Sequence, residues 1–136
     1  MELNYPLDHI GIAVENLDEA ISKHKEDFGL ELDLREEVPS QKVEVAFLKL
    51  ANTKLELLAS TDPESTLSKF IAKRGPGLHH ICYEVQDIRA ELKRLKEMGH
   101  RLIDETPRPG AHQTEIAFLH PKSTLGVLLE LCQYKR

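Results

Sequence analysis

Much is missing from this 136-residue chain: it has no tryptophan, two cysteines, two methionines, three tyrosines and four phenylalanines. Cys82 and Cys132 are too few for a disulfide scaffold or a four-cysteine zinc site. Both stand inside apolar segments, so they read as buried thiols in a reducing compartment. Long apolar runs are absent too. The longest, Val45-Ala46-Phe47-Leu48 and Ile116-Ala117-Phe118-Leu119, fall far short of the roughly 20 residues that span a bilayer, and the opening MELNYPLDH shows no basic-then-apolar targeting pattern. A cytoplasmic protein with no membrane partner is expected. Nor is there an excess of positive charge: 18 Lys and Arg face 23 Asp and Glu, a formal charge of −5, which excludes a general nucleic-acid binder. What is present, 40% hydrophobic residues in 15.5 kDa, suffices for one domain over residues 1–136.

The chain carries an internal repeat in which His9, one of seven histidines, aligns with His80, and a repeat decides the fold before any single element does. Asp8-His9-Ile10-Gly11-Ile12-Ala13-Val14 aligns with His79-His80-Ile81-Cys82-Tyr83-Glu84-Val85 at an offset of 71, as do Lys25-Glu26 with Lys96-Glu97. Glu44-Val45-Ala46-Phe47-Leu48 aligns with Glu115-Ile116-Ala117-Phe118-Leu119 at the same offset. Leu55-Glu56-Leu57 and Leu129-Glu130-Leu131 match at 74, as if three residues extend the turn before the last strand.

Each copy reads strand, helix, three strands. In the first, a strand near 8–14 gives way at Asn16, which with Glu19 has capping-box spacing, to a helix carrying Leu17, Ala20, Ile21, His24 and Phe28, stopped by Gly29. In the second, Asp87 caps a helix bearing Ile88, Leu92, Leu95 and Met98, ended by Gly99. Short apolar segments follow near 30–35, 43–50 and 54–59, and near 101–105, 114–120 and 126–132. Pro107-Arg108-Pro109-Gly110 reads as a loop. Module one covers about 1–62, a linking helix about 63–75 (Ser65 to Arg74) and module two about 76–136. The fold class expected is α+β, two tandem βαβββ modules; if they pair, they form a curled, barrel-like mixed sheet with a metal site between them.

Strand alternation places His9, Gly11 and Ala13 on one face and Ile10, Ile12 and Val14 on the other. The aliphatic face must meet the helix, so His9 points away from it. His80, Cys82 and Glu84 repeat this against Ile81, Tyr83 and Val85; Glu56 and Glu130 likewise oppose their flanking leucines. If the two curled sheets pair, His9, Glu56, His80 and Glu130 converge. Burying two carboxylates without a cation costs several kcal/mol, whereas one divalent ion matches two imidazoles and two carboxylates, leaving two positions free in six-coordinate geometry. Glu44 and Glu84 are further carboxylates expected near it. His79 points to the opposite face, His24 and His100 read as structural, and His112 and His120 lie in loop or strand-end contexts.

These residues resemble the vicinal oxygen chelate superfamily, the glyoxalase-like fold, along essentially the whole chain. Within it, Leu7-Asp8-His9-Ile10-Gly11-Ile12-Ala13-Val14, Gly77-Leu78-His79-His80-Ile81, Leu102-Ile103-Asp104-Glu105 and the stretch from Phe118-Leu119-His120-Pro121-Lys122-Ser123 to Glu130-Leu131 are similar to the methylmalonyl-CoA epimerase family. The resemblance implies an isomerase inverting carbon two of an acyl-CoA, with His9, Glu56, His80 and Glu130 as ligands of one divalent metal: cobalt first, with nickel, manganese or zinc as alternatives. It implies Glu130 as one acid/base group. Some relatives carry a base glutamate where this chain has Val45, so Glu44, one residue earlier, is the candidate partner if a bulge turns it inward. His120, Lys122 and Ser123 would bind substrate. Arg108, Lys69, Lys73 and Arg74 are further candidate cations for the polyanionic CoA. Open strand edges suggest a homodimer. Two alternatives stay open: a glyoxalase I-type isomerase of glutathione hemithioacetals, and a metal-free ligand-binding module of the same fold.

Overall fold

Strand, helix, three strands is the order in each half of the computed structural model, which describes residues 4–135; residues 1–3, the start of the segment read for a targeting pattern, and residue 136 lie outside it. Module one holds β1 (Leu7–Ala13), α1 (Leu17–Phe28), β2 (Leu32–Val38), β3 (Val43–Lys49) and β4 (Lys54–Ser60). The linking helix α2 (Thr66–Arg74) follows. Module two holds β5 (Gly77–Glu84), α3 (Ile88–Glu97), β6 (Arg108–Pro109), β7 (Thr114–Leu119) and β8 (Leu129–Tyr134). The α+β class and the tandem modules are therefore as expected. By contacts the chain forms two compact units, His9–His79 and the described residues up to Asp8 together with those from His80 on. No helix among the described residues is long and apolar enough to cross a membrane.

The helix ends are written locally. The Asn16 side chain accepts the Glu19 N–H at 2.9 Å, Ser65 accepts that of Ser68 at 3.0 Å, and Asp87 that of Ala90 at 3.0 Å. Each satisfies one donor that the first helical turn leaves unpaired. Gly29, at φ 68°, closes α1 in the left-handed region that glycine enters without a Cβ clash.

In module one the strands are ordered β2-β3-β4-β1, with β1 parallel to β4 and the other neighbours antiparallel. In module two the order is β6-β7-β8-β5, with β5 parallel to β8. Each sheet packs one face on its helix: Ile12, Ala46, Leu48, Leu55 and Leu57 meet Leu17 and Ile21 of α1. In module two, Val85, Ala117, Leu119 and Leu131 meet Ile88, Leu92 and Leu95 of α3. Each fully buried leucine here contributes roughly 1.5–3 kcal/mol. The opposite face of module two buries Cys82, Ile116, Phe118 and Cys132, both thiols being free.

Two expectations in module two are corrected. Residues 101–105 form no strand, only a bridge from Leu102 to Leu119, and the edge strand is instead the two-residue β6 inside the proline-rich stretch read as a loop. The backbone oxygen of Phe118 accepts the N–H groups of Ile103 and Asp104, while the Asp104 carboxylate accepts the Phe118 N–H at 2.9 Å. The 101–105 segment is thereby held as an irregular loop. Pro109 is tolerated because an edge strand needs donors on one side only. Second, β8 starts at Leu129 and not near 126, because Leu125 and Gly126 take φ of 59° and 94° and close a turn in which the Gly126 N–H donates to Pro121 O at 2.8 Å.

Candidate metal centre

The parallel pairing of β1 with β4 sets Gly11 beside Glu56, two residues along from His9. Side chains two apart share a face, so His9 and Glu56 meet on the side away from α1, with Nε2 and Oε1 3.3 Å apart. Module two repeats this: Cys82 is the register partner of Glu130, and His80 Nε2 lies 3.1 Å from Glu130 Oε1. All four residues are buried, at 4–6% exposure.

One ligand atom from each of His9, Glu56, His80 and Glu130 lies within 4.8 Å of the others. This buried group could bind a metal ion, and its chemistry fits one. An imidazole and a carboxylate in each module make a two-nitrogen, two-oxygen set with a formal charge of −2, matched to a borderline divalent cation. The cost of burying two carboxylates is offset when they ligate a cation.

Each His–Glu pair has an aromatic neighbour that the sequence marks only as part of a repeated apolar segment. Phe47 is the cross-strand partner of Glu56, and Phe118 that of Glu130. Their rings stand nearly perpendicular to those of His9 and His80, at 82° with 5.4 Å between centroids and at 85° with 5.6 Å. The signal for them was the shared Ala-Phe-Leu at the repeat offset, on the same strand parity as the ligands.

Glu44, a candidate only if a bulge turned it inward, does not join the group, because β3 has no bulge against β4. From Val43 to Lys49, β3 keeps unbroken register with β4, so Glu44 shares the face of Ala46 and Leu48, which pack toward α1. There its carboxylate pairs with Arg35 at 2.9 Å, and Arg35 also reaches Asp18 of α1 at 2.5 Å. Glu84 is likewise outside the ligand set; with Glu115, Gln133 and Tyr134 it lines a separate cavity of about 500 Å3 in module two.

The other histidines divide as their parity suggests. His79 faces Phe70 of α2, ring centroids 4.7 Å apart, and His24 Nδ1 donates to the Ala20 carbonyl at 2.8 Å. His120 caps the 3-10 turn Pro121–Ser123, its Nδ1 accepting the Lys122 N–H at 3.1 Å, while Ser123 Oγ accepts the Arg101 N–H at 2.7 Å. Partial desolvation, then the positive charges of Arg101 and Lys122, hold the His120 imidazole below its ordinary pKa. The loop is thus a local concentration of cationic charge in an acidic chain.

A family profile described as the Glyoxalase/Bleomycin resistance protein/Dioxygenase superfamily matches residues 8–118. The chain is 42% identical over 129 residues to an ethylmalonyl-CoA/methylmalonyl-CoA epimerase of Cereibacter sphaeroides, covering 93% of this chain and 96% of that one. It is 39% identical over 128 residues to the mitochondrial methylmalonyl-CoA epimerase of Homo sapiens, covering 93% and 73%. Among solved structures, a methylmalonyl-CoA epimerase in complex with methylmalonyl-CoA and ammonium superimposes with a TM-score of 0.92 at 34% identity, covering 96% of this chain and 94% of that one.

Proposed function

The chain belongs to the Glyoxalase/Bleomycin resistance protein/Dioxygenase superfamily, and from that premise we propose that it is an isomerase that epimerises methylmalonyl-CoA at carbon two. The observation that carries this reading is 42% identity to an epimerase of that substrate class along nearly the full length of both chains. The buried His9, Glu56, His80 and Glu130 group supplies a donor set suited to the chemistry.

The four residues would hold one divalent cation, cobalt by preference, which when bound supplies Lewis acidity toward the thioester oxygen as negative charge develops there. Inversion needs a proton removed from one face of carbon two and another delivered to the other face. With Glu44 committed to Arg35, Glu56 and Glu130 are the carboxylates left for acid/base work: one, weakly held by the cation, would take the carbon-two proton from one face, and the other, protonated in place of binding the cation, would return one to the enolate on the opposite face. His9 and His80, with Nε2 3.3 and 3.1 Å from these carboxylates, would complete the donor set as neutral imidazoles. The low exposure of all four keeps bulk water from competing for the proton.

Lys122 and the Ser123 hydroxyl, with Arg101 beside them, answer the anionic substrate. Ser123 Oγ already accepts from the Arg101 N–H, so its own proton remains to donate. We read the chain as one functional domain, since neither module has a complete ligand set, and as a cytoplasmic homodimer, the open edges of β2 and β6 being suited to a second copy.

The test is solvent exchange. In D2O, protein loaded with Co2+ incorporates deuterium at carbon two of methylmalonyl-CoA and interconverts its epimers. Turnover of a methylglyoxal–glutathione hemithioacetal with no such exchange would overturn the reading.

A further inference from the structure

Each His–Glu pair is backed by the same two side chains, a phenylalanine and a cation. In module one, Phe47 stands perpendicular to His9 and directly across from Glu56, with the Lys54 ammonium 5.5 Å from its ring centroid. In module two, Phe118 stands perpendicular to His80 and across from Glu130, with the Arg108 guanidinium 5.8 Å from its centroid. Arg108 is itself held by Asp104, Nε to Oδ1 at 3.2 Å, and Asp104 accepts the Phe118 N–H. The correspondence extends to residue type: cation, phenylalanine, imidazole, carboxylate.

Perpendicular packing also occurs at Phe70 with His79 and at Tyr134 with His112; what sets Phe47 and Phe118 apart is their place directly across from Glu56 and Glu130 with a cation over each ring. A ring buried to 3% or 6% exposure has its plane fixed by its neighbours, and a cation over its face favours that plane further. A histidine packed at right angles to it, with centroids 5.4 or 5.6 Å apart, gives up that contact geometry when it turns about its Cβ–Cγ bond. The imidazole therefore keeps its Nε2 directed at the paired carboxylate before any ion arrives.

We propose that Phe47 and Phe118 are positioning residues of the metal centre, each fixing the plane of one ligand histidine. This rests on the four-ligand centre proposed above. Neither ring offers a donor atom; both act through the orientation of His9 and His80. Residues that orient first-sphere ligands typically change metal affinity by about 10- to 100-fold when replaced, and an aromatic pair of this geometry accounts for up to about tenfold by itself.

The experiment titrates the metal-stripped full chain with CoCl2 by calorimetry and records the visible spectrum of bound Co2+. Wild type should bind one equivalent, lost in His80→Ala; if wild type binds none, the four-ligand centre fails and this inference falls with it. Given that binding, Phe47→Leu and Phe118→Leu should each weaken affinity about tenfold or more and alter the Co2+ absorption bands. Leu131→Val, a cavity on the helix side of the strand that carries Glu130, should stay within about twofold. If leucine at 118 unfolds the chain, Phe118→Met keeps the volume without the ring and should show the same loss. Affinity within twofold of wild type in the phenylalanine variants, or an equal loss in Leu131→Val, would overturn the assignment.

Discussion

The two modules agree at their buried His–Glu pairs and diverge at their edges. His–Glu separations of 3.3 and 3.1 Å and ring angles of 82° and 85° recur across them, yet the outermost strand has seven residues in module one and two in module two. The repeated constraint lies on three inner strands of each sheet: one bearing the histidine, one the glutamate, one the phenylalanine. The edge only has to complete the backbone of the phenylalanine strand. In module one β2 pairs along it from Leu32 to Val38; in module two the Asp104 side chain and the irregular loop at Ile103 do so around Phe118.

The largest effects should therefore fall on the inner strands and be symmetric. Glu56→Gln and Glu130→Gln each keep an oxygen donor but remove an acid/base group, and a positioned proton-transfer group contributes about 10²–10⁴ in rate. Both should lower epimerisation by a factor in that range while the fold is retained. Since loss of one group can leave exchange on one face, carbon-two deuterium exchange should be measured for each isolated substrate epimer. Opposite epimer preferences in the two variants are expected. Unchanged rates in Glu56→Gln would break the symmetry and return the search to another base.

Next comes stability. Leu57 and Leu131 are buried at 0% and 2% exposure on the helix faces of corresponding strands, so Leu57→Ala and Leu131→Ala should each cost about 2–5 kcal/mol in urea unfolding. A cost confined to one of them would show that the halves do not share their core equally.

The placement of the buried His and Glu residues was readable because strand parity is strict: once Ile12 and Val14 had to meet a helix, His9 had to face away, and Leu55 and Leu57 fixed Glu56 in the same manner. The caps at Asn16 and Asp87 were readable because their hydrogen bonds close within three residues. The edge of module two was not. Leu102 and Ile103 have strand-like side chains, but the pairing that would make them a strand is taken by Asp104, fourteen residues from its partner Phe118. Nothing local encodes that contact. The perpendicular rings at His9 and His80 were hidden for a related reason: parity puts Phe47 and Phe118 on the right face but says nothing of ring planes.

That edge supplies a smaller effect. A Cβ at Gly110, just after β6, would meet Ile116 Cγ2 at 2.6 Å and Thr114 Oγ1 at 2.8 Å. Gly110→Ala should thus cost about 1–3 kcal/mol through overpacking, read by thermal or urea unfolding, with metal affinity unchanged. A loss of Co2+ binding comparable to that of Phe118→Leu would mean that the edge also orients the ligands, and the division between inner strands and edge would not hold.

The smallest effect is expected at Glu44, and it tests parity most directly. Glu44 and Val45 are adjacent on β3, yet Val45 is 1% exposed on the ligand side, while Glu44 pairs with Arg35 on the helix side at the protein surface. An exposed ion pair of this kind contributes about 0–1 kcal/mol, because water screens it and two side chains must be ordered to form it. Glu44→Gln should therefore leave carbon-two exchange unchanged and shift unfolding by no more than that. The measurement is the D2O exchange rate alongside that of Glu56→Gln. A drop of 10²-fold or more in Glu44→Gln would place its carboxylate at the reacting carbon, which the unbroken register of β3 with β4 does not allow without a one-residue slip. Such a slip would carry Phe47 away from His9 as well, so the Co2+ affinity of Glu44→Gln distinguishes a displaced strand from a remote electrostatic contribution.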